Sequence, residues 1–236
     1  MTETYVLIPG AWHGGWAWHP VAQRLQAAGH RAIALTLPGL SAGDDPRELR
    51  LEDAISHVVN EIERRDLTDV TLVAHSWGGI PLTGAAYRIP KRIRKAVFHS
   101  AFVPTRGVSM NEAFFKENAD VGRKMIEATP DHTSSLTLEQ AQQFLVQGEP
   151  EPLQRLIFDL LVPQPGAYML DALDVENVTE LGIPAAYTLA ENDIALALPG
   201  VELAARLGVE PVMTPGTHEA LLTHPDEVAK AILGVS

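Results

Sequence analysis

Cysteine is absent from all 236 positions, which excludes disulfide frameworks, cysteine-ligated zinc and thiol nucleophiles. Long apolar runs are absent as well: no stretch of about 18 apolar residues, the length a membrane helix needs, occurs. Basic residues are scarce, 18 against 30 acidic ones. The resulting formal charge of −12 argues against unassisted binding to nucleic acid, whose phosphates are held largely by Lys and Arg. The opening MTETYVLIPGAW lacks a basic segment followed by an apolar stretch and a cleavage site, so no signal peptide is expected and a cytoplasmic protein is. What is present is ordinary globular composition, 46% hydrophobic and 20% charged, in a chain long enough for one large core. Nothing in it sets an oligomeric state.

Strand and helix signals alternate from the start. Tyr5–Pro9 is a short apolar run ending at a Pro-Gly break, and a helical stretch near Trp16–Ala28 is closed by Gly29. Arg31–Leu37 is strand-like. Leu51–Arg65 then carries Leu51, Ile55, Val58, Val59 and Ile62 at helical spacing. Asp69–His75 predicts a third strand, Trp77–Ile89 a helix and Arg94–His99 a fourth strand. This alternation implies βαβ units and a parallel sheet.

From Thr105 to Asn177 the pattern changes to helix signals with no convincing strand. Ser109–Glu112 and Thr137–Gln140 both fit the capping box, in which side chains at N-cap and N3 satisfy free backbone N–H groups. Alternation returns at Ile183–Ala190, followed by a helix around Pro199–Leu207, a strand at Val209–Met213 and a helix near Pro225–Leu233. The expected architecture is therefore an α/β core built from residues 1–104 and 178–236, with 105–177 inserted as a helical cap. Such an insert would lie over the carboxyl ends of the strands, where open α/β sheets bind ligands.

Ala74-His75-Ser76-Trp77-Gly78-Gly79 joins the third strand directly to the next helix. A serine on so sharp a turn exposes its hydroxyl above the sheet edge. Small residues are needed two positions to either side, where strand and helix backbones pass closely; Gly78 meets this and Ala74 nearly does. The helix start also supplies N–H groups and partial positive charge for a developing oxyanion. An N-cap alone is the other account of Ser76. It leaves Gly78-Gly79 unexplained, since each glycine costs a helix about 1 kcal/mol.

Together, PGAWHGGWAW near the N-terminus and AHSWGG resemble the α/β-hydrolase superfamily. More narrowly, they resemble the small plant-type methylesterase and hydroxynitrile lyase family and its bacterial esterase relatives. That family opens on a strand leading into HG-x-x-H-G-x-W-x-W; here Pro9 stands in place of the first histidine and His13 matches the second. The likeness spans the chain in order and spacing, and is specific in the two motifs and a C-terminal histidine. It implies an α/β-hydrolase fold, a mostly parallel sheet flanked by helices, and a serine nucleophile needing neither cofactor nor metal.

His218, just past the last expected strand, is the candidate base, and the chain order Ser, acid, His is that of the superfamily. Asp193 matches the family's acid position, with Glu191 two residues away as the alternative. By resemblance the oxyanion donors are the backbone N–H groups of Ala11 and Trp77. Gly10 keeps the approach open, Trp12 and Trp77 are candidates to wall a substrate pocket, and Trp16 and Trp18 are expected to pack a helix on the sheet. His13 is expected to make a structural hydrogen bond. Glu219, beside His218, could modulate it, but a solvated surface carboxylate is the favoured account.

Hydroxynitrile lyases of this family carry a lysine after the catalytic histidine and a threonine in the oxyanion loop. Glu219 and Gly10 stand there instead, so cyanohydrin cleavage is rejected. Haloperoxidase-like and dioxygenase chemistry also occur on the fold, and nothing here selects them. The expectation is hydrolysis of a small or medium, largely apolar carboxylic ester, a methyl ester or lactone included, with that small-molecule ester as substrate and neither nucleic acid nor a membrane as partner. A receptor-like protein with little turnover and a carbon–carbon bond hydrolase on the same residues remain alternatives.

Overall fold

A computed structural model describes residues 2–236, the Glu117 side chain excepted. The chain begins with β1 (Thr4–Ile8), α1 (His19–Ala27), β2 (Arg31–Ala34), α2 (Leu51–Arg64), β3 (Val70–Ser76), α3 (Gly79–Arg88) and β4 (Ile93–Ala101). A long connection holds α4 (Met110–Phe115), α5 (Ala119–Glu127), β5 (Thr133–Ser134), α6 (Leu138–Phe144), α7 (Glu151–Leu160), β6 (Gln164–Pro165) and α8 (Gly166–Leu170). Alternation resumes with β7 (Ala185–Ala190), α9 (Gly200–Arg206), β8 (Val212–Thr214), α10 (Ala220–Thr223) and α11 (Pro225–Val235).

Six strands pair in the order β2-β1-β3-β4-β7-β8, and every pairing is parallel. A parallel sheet must be covered on both faces. The central strand β3 is accordingly buried at all seven residues. One face packs on α2, α3 and α9, with Leu51, Ile55, Val58, Val59 and Ile62 forming the apolar stripe read from the sequence. The other face packs on α1 and α11 through Trp18, Val21, Leu25, Val228 and Ile232. The chain leaves β1 for β2 on one side and returns to β3 on the other. The carboxyl ends of β1 and β3 are thus a topological switch point, where such sheets leave a crevice. Gly10 and Ala11 follow one of these strands, Trp77 the other.

Three details differ from the sequence reading. The second strand stops at Ala34 instead of Leu37, because β2 is an edge strand whose only partner, β1, ends at Ile8. The last strand lies at Val212–Thr214, not Val209–Met213; Pro211 has no N–H to donate, and β7 offers partners only at Thr188–Ala190. Residues 105–177 do contain strands, the antiparallel two-residue pair β5 and β6. Both capping boxes form as expected, Ser109 with Glu112 and Thr137 with Gln140.

The start of α3 is packed against neighbouring backbone. A Cβ on Gly78 would sit 2.5 Å from the Pro9 carbonyl oxygen, and one on Gly79 would sit 1.9 Å from that of Phe102. Neither contact can be relieved by a rotamer change. Gly79→Ala is therefore expected to lower stability by about 3 kcal/mol or more, since overpacking against rigid backbone has no cheap relaxation. Urea denaturation measures it, and a midpoint equal to wild type would contradict the close approach.

Candidate active site

The strand-to-helix turn after β3 places Ser76 at φ 52°, a left-handed conformation that side chains rarely adopt. Such strain persists only where the surroundings fix it. Here α3 begins at once, with Gly78 N–H bonded to the His75 carbonyl and Phe102 N–H to that of Ser76. The turn aims Ser76 Oγ at His218, whose Nε2 lies 2.9 Å away. The Nδ1 of His218 lies 2.9 Å from Asp193 Oδ2. Since a carboxylate only accepts, Nδ1 carries the proton, and Nε2 is left to accept from the serine hydroxyl. The structure thus brings Ser76, His218 and Asp193 into one hydrogen-bonded line. Glu191 is exposed, so of the two candidate acids it is Asp193 that meets the histidine.

All three side chains are nearly or wholly withdrawn from water. Burial alone raises a carboxyl group's pKa. At Asp193 it is outweighed by the charge and hydrogen bond of His218, the Ala195 N–H and the Ser100 hydroxyl, which together bring the acid down to about 2. At His218 burial opposes the cation, but Asp193, and then Glu219, reverse the balance and raise its pKa above the ordinary value. Two further buried histidines flank it. Burial, helped by the His218 charge, pushes His75 well down, and burial brings His99 down to about 4. Both are neutral near pH 7. His75 donates from Nε2 to the His218 carbonyl at 3.0 Å and so holds the histidine loop. His99 pairs with Thr188 through Nδ1.

The position of Asp193 depends on a defect in the sheet. His75 pairs with His99, but Ser76 pairs with Ala101, so Ser100 bulges out at φ 43°. Its hydroxyl accepts the Ala190 N–H at 3.1 Å, tying the bulge to the end of β7, from which Asp193 follows. Bulges re-aim side chains beside functional sites.

On the opposite side lies the turn Gly10–His13, closed by the His13 N–H bonded to the Gly10 carbonyl. Gly10 abuts Ser76: a Cβ there would be 2.9 Å from Ser76 Cβ and 3.0 Å from His75 Nδ1. Trp12 occupies the turn's left-handed position at φ 66°, where glycine is usual. Gln164, fully buried, holds it by accepting the Trp12 N–H at 3.0 Å, and the Val162 N–H donates to the Trp12 carbonyl. Among the described residues, the N–H groups of Ala11 and Trp77 have no protein acceptor.

Two expectations need correction. Trp77 does not wall a pocket: its ring is fully buried, stacked at 5.1 Å on Tyr168, and its indole N–H donates to the Tyr168 carbonyl. It clamps α8 to the strand-to-helix turn that carries Ser76. Glu219 is not a solvated carboxylate but fully buried, with Oε1 3.3 Å from His13 Nε2. Trp18 packs as expected and donates to the Ile8 carbonyl. Trp12 is half-buried, its indole N–H bonded to the Ser134 carbonyl. Ser134 in turn borders a cavity of about 210 Å³ lined by Met110, Phe114, Phe115, Met125 and Met169.

Buried His75, His218 and Glu219 lie close enough for their donor atoms to share an ion. His218 is already committed to Asp193 and Ser76, and Glu219 faces His13 at 3.3 Å, so the cluster reads as part of the network around the catalytic histidine.

A family model described as the alpha/beta hydrolase family matches residues 5–231. A carbendazim hydrolyzing esterase of Nocardioides sp. (strain SG-4G) is 44% identical over 108 residues, a match that spans 45% of this chain and 45% of that protein. Methylesterase 1 of Arabidopsis thaliana is 26% identical over 211 residues, spanning 82% of this chain and 80% of its own. Among solved structures, an extracellular alpha/beta-hydrolase from a Paenibacillus species superposes with a TM-score of 0.92 at 24% identity, over 99% of both chains. Polyneuridine aldehyde esterase superposes with a TM-score of 0.79 at 21% identity, over 100% of this chain and 99% of the other.

Proposed function

The chain belongs to the alpha/beta hydrolase family, and we propose that it hydrolyses a small or medium, largely apolar carboxylic ester through an acyl-enzyme on Ser76. The observation that carries this reading is the continuous line Ser76 Oγ, His218, Asp193, each contact at 2.9 Å. The esterase names of its relatives support the same chemistry.

His218 Nε2 takes the hydroxyl proton as Ser76 Oγ attacks the ester carbonyl carbon. The carbonyl oxygen gains negative charge, which the unpartnered N–H groups of Ala11 and Trp77 receive. His218, now a cation held against Asp193, gives its proton to the leaving alcohol. It then takes a proton from water, which attacks the acyl-enzyme and releases the acid. No metal or cofactor enters any step. Residues 105–177 act as a cap: Ser134, Gln164 and Tyr168 all bond from it to the Gly10–His13 turn or to Trp77 after the Ser76 turn, and the apolar cavity beside Ser134 suits an apolar substrate portion. The buried carboxylate of Glu219, in place of a lysine, speaks against cyanide release.

Turnover of p-nitrophenyl butyrate and simple methyl esters tests this reading. Because His218 must be neutral to accept the serine proton and its pKa is raised, kcat/KM is expected to rise with pH through a midpoint above 6.5. Cleavage of a 1,3-diketone without ester hydrolysis would place the bond elsewhere, and tight ligand binding without turnover would favour a receptor.

A further inference from the structure

Glu219 and His13 are the least expected pair in the molecule. Both are buried, Glu219 wholly and His13 at 2% exposure, and their side chains meet at 3.3 Å. The other ring nitrogen of His13, Nδ1, lies 2.6 Å from the Ala11 carbonyl oxygen, an atom that only accepts. Glu219 directly follows His218 and His13 closes the turn that carries Ala11, so the pair joins the histidine loop to the oxyanion turn. That turn needs holding, since Trp12 sits in it at a strained positive φ. A buried carboxylate beside a histidine is weak evidence for stability, because burial penalises its charge. Its position suggests a different use.

We propose that Glu219 and His13 are positioning residues for ester hydrolysis: their buried pair fixes the Ala11 peptide, and hence the oxyanion pocket, relative to His218. The inference rests on the serine-hydrolase reading above. Gln164 fixes the neighbouring Trp12 N–H from the cap side, so the turn is held from two directions. Glu219 also acts through charge. Burial works against its carboxylate, but the neighbouring His13, and then His75 and His218, bring it down to about 2, so it is an anion at working pH. The titratable groups around His218 are Asp193, Glu219, His75 and His99, with His13 beyond Glu219. His75 and His99 are neutral near pH 7, which leaves Asp193 and Glu219 as the anions that favour the His218 cation.

The test is the double variant His13→Gln/Glu219→Gln, which removes the Glu219 carboxylate together with the imidazole that faces it, measured beside Glu219→Gln alone. With p-nitrophenyl butyrate, both are expected to lose on the order of 10- to 100-fold in kcat with little change in KM, the scale of a small misplacement at a reacting centre. The acid limb of kcat/KM should move to lower pH in both, because an anion near His218 is gone. A purely structural role would lower the melting temperature and leave kcat and the limb of the folded protein unchanged, which overturns the inference. Should the double variant not fold, the isosteric Glu219→Gln decides on the same two readouts. A wild-type protein inactive on esters would instead overturn the functional reading beneath it.

Discussion

Ser76→Ala is expected to lower kcat for p-nitrophenyl butyrate by about 10⁴- to 10⁶-fold, with little change in KM or in fold. Losses of this size accompany removal of a nucleophile that acts as one unit with its base. The variant keeps the turn intact, because alanine meets the same backbone constraint at φ 52° and leaves Gly78 and Gly79 untouched. It leaves His218 Nε2 without its hydroxyl partner, a stability change of about 1 kcal/mol. Denaturation midpoint and kinetics must therefore separate: activity collapses while stability hardly moves. A variant retaining a tenth of wild-type kcat would mean that another group attacks the ester.

Asp193→Asn is expected to reduce kcat by about 10⁴-fold, the scale seen when the acid behind a catalytic histidine loses its charge. The asparagine amide can donate to His218 Nδ1, which then accepts. The ring proton moves to Nε2, and the histidine faces Ser76 with a donor where an acceptor is required. Glu191 is exposed and does not replace the lost charge. The same substitution changes the acid stability of the fold. The Asp193 pKa is depressed to about 2, so its ionisation stabilises the native state above the ordinary carboxyl value and is lost as pH falls through about 2. In the variant that part of the acid-induced loss should disappear. Comparing urea midpoints of wild type and variant between pH 2 and pH 5, taken as roughly the span of carboxyl titration, reads it out.

What could be read from the sequence follows from how local each signal is. The parallel sheet was legible because strand and helix periods alternate over short windows, and the family model and superpositions bear out the α/β-hydrolase fold. The Ser76 turn was legible because its constraint, small residues packed against backbone, is written within six positions. The acid was narrowed to two candidates by sequence; contact with His218 separates Asp193 from Glu191. What sequence missed is held by distant partners. Glu219 looks like a surface residue until His13 is placed against it, and Trp77 looks like a pocket wall until Tyr168 stacks on it. The Ser100 bulge depends on register between β3 and β4, and β5 and β6 are too short to show any period.

Treating the folded protein with a fluorophosphonate and locating the adduct by mass spectrometry tests the central claim most directly, since only an activated serine reacts readily. The account predicts one adduct, on Ser76, whose formation is slowed at least a hundredfold, on the order of a lost general base, in His218→Ala. No adduct on the folded wild-type protein, or an adduct at another residue indifferent to His218, would contradict it.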